Sequence, residues 1–358
     1  MNKDKKFYLS KKVGEIEKSN FYEYLAVMID GWVSISKALE SIKKKNKNPY
    51  FAEKIDELVT FIDSGDSLSK AMKKIPDIFI DSETAIIEAW ENSWSMQNSL
   101  TMLSDTLKNK YNLRKKVKGS LTYPMIIMVF LIAAIGIVMV YVIPSIMPLF
   151  ADADVELPLA TQALVATSNF VSGNILLILL VMISAVLIFM GYKKTESGWK
   201  FVDSLILEMP LIGTVMKNYI LANVAANLGT LFASWIPINK TLILTWRATN
   251  NFIYNEAFED INMQVTKWNK IVDSMMNVSE EEELFPADFL QMLSVWEKTA
   301  TIDKICKKIN NQYTREVNAS LEVLTKWIEP IAILIAAAFV LWFAFAIFGA
   351  ILKITQTL

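Results

Sequence analysis

Few side chains in this chain could do chemistry, and the main candidates are carboxylates. Histidine is absent and Cys306 is the single cysteine among 358 residues. Histidine-based acid-base catalysis, histidine-ligated metals, zinc sites built on paired cysteines and an intrachain disulfide are therefore excluded. No Gly-x-x-x-x-Gly-Lys-Ser/Thr sequence occurs, so the usual phosphate-binding loop is missing. We predict no catalytic residue, no cofactor and no metal, in a protein that is not an enzyme.

Three groups of carboxylates lie where a side chain could act on a partner or an ion. Glu91 and Glu297 occupy the same place in two similar blocks of sequence. This favours a carboxylate that caps a helix or stabilises a turn, with a cation or partner contact as the alternative. Glu329 precedes an apolar run, where the alternatives are interfacial capping and a contact with a partner. Glu280 to Glu283 favours a solvated loop, with docking of a basic partner as the alternative.

Three long apolar segments interrupt the polar parts of the chain. Met125 to Met147, Ile175 to Tyr192 and Ile331 to Leu352 are nearly uninterrupted apolar runs. Each is close to the roughly 20 helical residues that cross ~30 Å of hydrocarbon. None of their cores contains Asp, Glu, Lys or Arg. We predict three transmembrane helices.

The charges beside these runs predict their orientation. Lysine and arginine are absent from residues 119–192 but are frequent on both flanks of this segment, and the charges of its connecting loop are all acidic. By the positive-inside rule both flanks and the N-terminus lie in the cytoplasm, and the chain is a multi-pass membrane protein. The net charge of −1 argues against nucleic-acid binding.

The segments outside the membrane form an internal repeat of helical pattern. Residues from Trp32 match residues from Trp235, and residues from Trp90 match residues from Trp296, at offsets of 203 and 206. Pro124 and Pro330 precede the first and third apolar runs, again 206 residues apart. Strand signals are absent, and turn residues divide each segment into helices. We predict an all-α fold with two homologous cytoplasmic helical bundles, each feeding a span that begins with proline in its first turn.

This pattern predicts five parts along the chain. A polar N-terminal lead precedes the first bundle, a membrane hairpin with an external loop (residues 148–174) joins the two bundles, and a third span ends in a short external tail. The predicted boundaries are 1–20 for the lead, 21–118 for repeat 1, 119–192 for the hairpin, 193–329 for repeat 2, and 330–358 for the last span and tail.

Short motifs near the spans resemble those of the GspF/PilC family, the inner-membrane platform proteins of type II secretion systems and type IV pili. Five motifs occur in the family's order and topology. They are Leu121-Thr122-Tyr123-Pro124, Val142-Ile143-Pro144, Leu157-Pro158-Leu159-Ala160-Thr161, Met209-Pro210-Leu211-Ile212-Gly213 and Ile328-Glu329-Pro330. Glu91 and Glu297 match the glutamate of the family's Gly-Glu-x-Ser-Gly motif.

The resemblance implies a non-enzymatic role. Proteins of this family contact a cytoplasmic assembly or secretion ATPase and other inner-membrane platform components, and help to lift pilin or pseudopilin subunits out of the membrane. The resemblance also implies a location in the bacterial inner membrane. We expect a homo-oligomer, but the resemblance leaves open the oligomeric state and whether the chain serves a pilus, a secretion system or DNA uptake. The competing hypothesis is a subunit of a membrane transporter or channel, which would need more spans or an obligate oligomer with polar residues inside the bilayer.

Tryptophan is unusually frequent and occupies positions where the family has glycine. The chain has ten tryptophans and only eleven glycines, although glycine is ~7% of an average protein. Trp90 and Trp94 fall on the two glycines of the Gly-Glu-x-Ser-Gly motif, and Trp296 falls on the first of them in repeat 2. Trp32 and Trp235 fall on a turn glycine of each repeat.

The sequence also contains an internal comparison for these positions. Gly65 of repeat 1 aligns with Trp268 of repeat 2 at the offset of 203. A turn glycine is selected for positive φ or close backbone approach, and an indole suits neither. The hypothesis is that these tryptophans are glycines encoded by UGA and translated with the wrong code. The alternative is genuine tryptophan anchors at an interface.

Overall fold

The computed structural model describes residues 12–91, 96–151, 158–193, 195–299 and 302–357. Within these ranges every regular element is helical and no strand occurs, which confirms the predicted all-α fold. The chain divides into two compact units. The bundle unit comprises the described part of Met1–Lys116 together with Ile206–Asn318, and the membrane unit comprises Val117–Leu205 and Ala319–Leu358. The predicted five-part division by membrane topology stays a prediction.

Repeat 1 contributes five short helices and the start of a long one to the bundle unit. They enclose an apolar core in which the rings of Phe51 and Phe79 lie 5.6 Å and 5.7 Å from the ring of Phe21, centroid to centroid. The helices are α1 (Glu15–Asp30), α2 (Ile35–Lys45), α3 (Pro49–Asp63), α4 (Leu68–Lys73), α5 (Asp81–Glu91) and α6 (Met96–Ile137).

Repeat 2 builds the same series of helices. From the second helix of each repeat onward, equivalent helices start at the offsets found in the sequence. The offset is 203 residues for the pairs α2/α12, α3/α13 and α4/α14, and 206 residues for α5/α15 and α6/α16. Asn48 and Asn251 cap α3 and α13 in the same way, each accepting a backbone N–H bond. The helices are α11 (Ile212–Ala233), α12 (Ile238–Thr249), α13 (Phe252–Thr266), α14 (Ile271–Glu282), α15 (Ala287–Thr299) and α16 (Ile302–Thr357), preceded by α10 (Glu196–Glu208). The duplication is therefore structural as well as sequential.

Three helical segments are long and apolar enough to cross a membrane, which confirms the predicted number of spans. They lie in Met96–Pro148, Ile175–Tyr192 (α9) and Lys304–Lys353. A fourth arises only if α10 and α11, which meet at 108°, are taken together. The prediction that the first and third spans begin with proline in their first helical turn is wrong, because Pro124 and Pro330 lie inside the long helices α6 and α16. A proline inside a helix costs one backbone hydrogen bond, and transmembrane helices tolerate this.

Pro144 and Pro148 lie at the end of the first apolar run, where proline would ordinarily end a helix, yet both lie within helical structure. A π-helical segment (Val138–Val142) follows α6, and α7 (Ile143–Ala151) contains both prolines. A π-helical turn leaves backbone groups that the α-helical ladder would have paired. Ser168 of α8 (Leu159–Gly173) donates its hydroxyl to the Met139 carbonyl in this segment at 2.6 Å. The membrane unit thus satisfies a carbonyl of the irregular turn from a neighbouring helix.

Candidate functional site

The two repeats pack against each other inside the bundle unit. Leu231, Ile236 and Leu244 of repeat 2 are buried in the core of repeat 1. At the edge of this contact Lys240 lies 3.7 Å from Glu88, and Arg247 pairs with Asp81. The apolar contact provides the larger stabilisation, since exposed ion pairs contribute at most about 1 kcal/mol each.

A polar cleft opens between the repeats where α6, α11 and α16 come together. Its volume is about 560 Å³, within the roughly 300–1,000 Å³ typical of ligand sites. Such sites are usually apolar, but asparagine and threonine dominate this one. Its lining consists of Asn98, Thr101, Met102, Asp105, Thr106, Asn109, Lys110, Asn112, Leu113, Lys116, Asn223, Ala225, Ala226, Asn227, Gly229, Thr230, Lys307, Asn310, Asn311, Thr314 and Asn318.

Two of the amides in this cleft have a buried atom with no hydrogen-bond partner among the described residues. These atoms are Asn227 Nδ2, a donor, and Asn318 Oδ1, an acceptor. Other lining amides are used within the fold, since Asn310 donates to the Ala222 carbonyl at 2.8 Å. Burial lowers the pKa of the Lys110 ammonium, and nearby Glu15 partly opposes this shift. The cleft therefore offers unused donor and acceptor capacity beside positive charge.

Repeat 1 buries a charged triad next to α1. Lys18 Nζ lies 2.7 Å from Glu83 Oε1, and Tyr22 donates its hydroxyl to Glu83 Oε2 at 3.0 Å. All three side chains are buried. Burial, followed by the negative charge of Glu83, raises the pKa of the Tyr22 hydroxyl well above its usual value.

The equivalent positions of repeat 2 are apolar. Leu221, Ala225 and Phe289 stand where repeat 1 has Lys18, Tyr22 and Glu83, and all three are fully buried. Phe289 packs edge-on against Tyr313, with ring centroids 5.7 Å apart. The same helical framework thus accepts either a buried ion pair or an apolar cluster. The triad was not predicted from the sequence, where its signal is the exchange of charged for apolar residues between aligned positions of the two repeats.

Three tryptophans lie at left-handed turns that end helices. We call Trp32, Trp235 and Trp268, with φ of 59°, 56° and 70°, the left-handed tryptophans. At the end of α1 the Trp32 N–H donates to the Ile29 carbonyl and the Val33 N–H donates to the Met28 carbonyl. This pair of bonds defines a Schellman motif with Trp32 at its left-handed C′ position.

The other two left-handed tryptophans make the same pair of bonds. Trp235 ends α11 and Trp268 ends α13. Gly65, which aligns with Trp268, ends α3 with identical bonding and a φ of 97°. Left-handed backbone at C′ is the usual place for glycine. Trp32, Trp235 and Trp268 are 90%, 87% and 97% exposed, so their indole rings gain almost nothing from burial within this chain.

The remaining suspected glycine positions are placed differently. Trp90 lies inside α5 with its side chain half-buried against the core of repeat 1. Because helical backbone accepts either residue, its conformation does not distinguish glycine from tryptophan. Trp94 lies outside the described residues. Trp296 lies in α15, with its side chain outside the described part of the structure.

The two repeated glutamates were predicted to cap a helix or to contact an ion or partner. Glu91 Oε1 accepts the Ser69 N–H at 2.9 Å, and its second oxygen accepts the Ser69 hydroxyl. These bonds hold the start of α4, which is the capping arrangement among those alternatives. The side chain of Glu297, like those of Glu280 to Glu282, lies outside the described residues. Where the chain is described, no three Cys, Asp or Glu side chains converge as around a metal.

The motif of the predicted external loop lies in the membrane unit. Pro158 is the N-cap residue of α8, and buried Thr161 donates its hydroxyl to the Ala346 carbonyl of α16. Leu157 lies outside the described residues. The structure thus gives the threonine of this motif a helix-to-helix contact.

The other motif positions are distributed along the chain rather than gathered at one site. Pro210 lies at the bend between α10 and α11, and Gly213 follows in the first turn of α11. A Cβ at Gly213 would lie 2.2 Å from the Leu207 carbonyl oxygen, so this close backbone approach requires glycine. Glu329 is exposed in the middle of α16 rather than at a helix end.

The cleft was the main feature that the sequence did not reveal. Its lining residues come from three helices that are far apart in the chain: Lys116 of α6 and Asn223 of α11 are 107 positions apart, and Thr230 of α11 and Lys307 of α16 are 77 positions apart. The local signal was the recurrence of asparagine on the cleft-facing sides of α11 and α16, at Asn223 and Asn227 and at Asn311 and Asn318. Spacings of four and seven residues return to one face of a helix, but that pattern alone does not show which helices will meet.

Comparison with known proteins identifies a family match over most of the chain. The family described as "Type II secretion system (T2SS), protein F" matches residues 21–144 and again residues 224–350. The two matches coincide with the two structural repeats and extend into the spans that follow them.

Relatives from both pilus and secretion systems are similar to the chain. The "Type IV pilus assembly protein PilC" of Thermus thermophilus is 25% identical over 338 residues, covering 94% of this chain and 82% of that protein. The protein of the same name from Pseudomonas aeruginosa is 24% identical and covers 89% and 85%. The "Type II secretion system protein F" of P. aeruginosa is 23% identical and covers 93% and 81%. The similarity thus extends over more than four fifths of each of these proteins.

Proposed function

The chain belongs to the type II secretion system protein F family, and on this premise we propose that it is the inner-membrane assembly platform of a type IV pilus or type II secretion system. The observation that carries the proposal is the match of the family to both repeats together with their spans. The resemblance drawn from the sequence motifs is confirmed at the level of the family.

In this proposal the chain couples a cytoplasmic assembly ATPase to the extraction of pilin or pseudopilin subunits from the membrane. The chain has no phosphate-binding loop sequence, so the work comes from a partner that hydrolyses nucleotide. The bundle unit supplies a surface for that partner. The three apolar spans supply contacts within the bilayer for the subunits and for other platform components.

The proposed topology places both repeats in the cytoplasm. Six basic residues without an acidic one lie between Lys108 and Lys118, just before the first span. Such juxtamembrane charge favours the cytoplasmic side. Reporter fusions after Lys118 and within residues 152–157 test this assignment. The first should report the cytoplasm and the second the opposite side.

Gene deletion in the source organism tests the proposed function. Loss of surface fibres, or of secretion of a reporter protein, is expected on deletion and recovery on complementation with the intact gene. A deletion strain without a second copy that still assembles and exports normally contradicts the platform role. Purification of the full chain in mild detergent, followed by identification of a co-purifying cytoplasmic ATPase, tests the proposed partner separately.

A further inference from the structure

We propose that residues 32, 235 and 268 are glycine in the protein that the source organism makes, because its UGA codons are read as glycine. Variant genetic codes assign UGA to either tryptophan or glycine, so one wrong table converts every such glycine into tryptophan. The inference is carried by backbone conformation within this chain.

Positive φ concentrates on tryptophan in this protein to a degree that chance does not explain. Six non-glycine residues of the described chain have positive φ, and three of them are tryptophans, although tryptophan accounts for ten of 358 residues. Asn250, one of the other three, is of a type that tolerates left-handed backbone. Tryptophan is bulky, and left-handed φ makes it a genuine outlier.

The internal repeat provides the control. The turn after α3 and the turn after α13 are the same Schellman motif at aligned positions, with Gly65 in one and Trp268 in the other. The backbone at both sites therefore has a left-handed conformation, which only glycine adopts without steric strain. Trp32 and Trp235 form a second aligned pair with the same bonding.

The indole rings of the three left-handed tryptophans are not buried within this chain, so packing does not offset the strain of their backbone. An exposed indole in a left-handed turn loses backbone stability and gains no packing. Three such rings would also place apolar surface in water, where it favours aggregation. Glycine at each position removes both costs without altering a hydrogen bond, because the turns use backbone groups only.

The gene sequence and the native protein mass test the proposal together. Codons 32, 235 and 268 should be UGA, and peptides from protein purified from the source organism should carry the mass of glycine there. Trp199, Trp246, Trp327 and Trp342 serve as comparison positions, because any of them encoded by UGG should keep the mass of tryptophan. UGG at the three turn codons, or tryptophan in the native peptides, overturns the proposal.

A second proposal rests on a different observation. We infer that the cleft between the repeats binds an acidic segment of another polypeptide of the assembly, which deepens the proposed function and depends on it for the existence of a partner. Lys110, Lys116 and Lys307 against Asp105 give the lining a net charge of +2, by counting three cations and one anion. A partner segment with Asp or Glu side chains complements this charge.

The length of the cleft favours a polypeptide over a small molecule. Along α6 the lining extends from Asn98 to Lys116, which is about 27 Å at 1.5 Å per helical residue. An extended segment of about eight residues spans this distance at ~3.3 Å per residue.

The unused amide atoms indicate how such a segment is held. Asn227 Nδ2 needs an acceptor and Asn318 Oδ1 needs a donor. A peptide backbone supplies both a carbonyl and an N–H. Because these atoms have no partner within the described fold, replacing the two residues with leucine should leave folding intact and weaken binding.

Photocrosslinking from one exposed cleft position tests the inference in cells. A benzophenone amino acid at Asn311, which is exposed and lines the cleft, should form an adduct whose mapped peptide is rich in Asp or Glu and belongs to another protein. The same probe at Lys308, exposed on α16 but outside the lining, is the control. The Asn227→Leu/Asn318→Leu variant should reduce the Asn311 adduct at least several-fold at an unchanged protein level.

The outcomes separate the cleft from the platform role. No adduct at Asn311, an adduct only with lipid or a second copy of this chain, or an adduct that the leucine variant leaves unchanged overturns the cleft proposal. If deletion still abolishes fibres or secretion in that case, the platform role stands without the cleft. If deletion has no effect, the platform role fails whatever the crosslink shows.

Discussion

Removing the negative charge of the buried Glu83 side chain should strongly destabilise repeat 1. Glu83→Gln leaves the buried Lys18 ammonium, now 2.7 Å from a carboxylate oxygen, without an anionic partner. Breaking a buried ion pair in this way costs about 3–5 kcal/mol. Domain stability is about 5–15 kcal/mol, so this change removes a large share of it.

Glu88→Gln provides the matched control on the same helix. Glu88 also pairs with a lysine, since Lys73 Nζ lies 2.8 Å from its carboxylate, but both side chains are nearly half exposed. Exposed pairs contribute about 0–1 kcal/mol, so this variant should behave almost like the parent. Hydrogen exchange of α1 and α5 in the purified full-length protein measures both effects as local free energies of opening.

A triple variant tests whether charge or packing is responsible. Lys18→Met/Tyr22→Phe/Glu83→Leu makes the site apolar, as repeat 2 is at Leu221, Ala225 and Phe289. Apolar replacement of a whole buried pair is often neutral or stabilising, so the triple variant should be more stable than Glu83→Gln. Equal costs for Glu83→Gln and Glu88→Gln, or a triple variant as unstable as Glu83→Gln, would refute the reasoning.

Three further results are expected from other parts of the bundle unit. Glycine at any one of the left-handed tryptophans should raise the unfolding free energy by about 1 kcal/mol, and Gly65→Trp should lower it by at least as much, measured by thermal unfolding in detergent. Glu91→Ala should cost about 1–3 kcal/mol and increase hydrogen exchange at the start of α4, because charged acceptors make the stronger hydrogen bonds; unchanged exchange would contradict the capping contact. The hydrogen bond to Asp77 raises the pKa of Tyr50 from about 10 to about 12, so its stabilisation is complete below pH 10 and is lost as the pH rises through 12. Tyr50→Phe should remove this alkaline loss in a pH titration of stability, and an identical profile in the variant would argue against it.

The sequence was sufficient to predict those features of the fold whose signal is local or repeated along the chain. Apolar runs of about 20 residues identified the three spans, because crossing a bilayer demands a contiguous segment. The offsets of 203 and 206 identified the duplication, because aligned helices keep their spacing. The suspicion about Trp32, Trp235 and Trp268 also came from alignment, and the positive φ values supply its physical reason.

Features that depend on distant residues could not be read from sequence. Lys18 and Glu83 meet across 65 positions, and the cleft joins Asn98 to Asn318. The continuous path of α6 through Pro124 was missed because proline usually marks a helix start in water. Inside a membrane a helix continues through proline, because the backbone has no water to bond to. The carbonyl that loses its partner is satisfied by nearby groups, and the other residues keep their helical hydrogen bonds.

Covalent fusion of the two repeats has a consequence for how their contact evolves. Two separate bundles would have to find each other in solution, whereas joined bundles meet at a high effective concentration. In a symmetric dimer, every substitution would appear on both sides of the contact. Fusion removes that restriction, so one half can keep the Lys18–Glu83 pair while the other holds Phe289. The same freedom allows the cleft to present different residues from its two walls, and so to give a bound segment a direction.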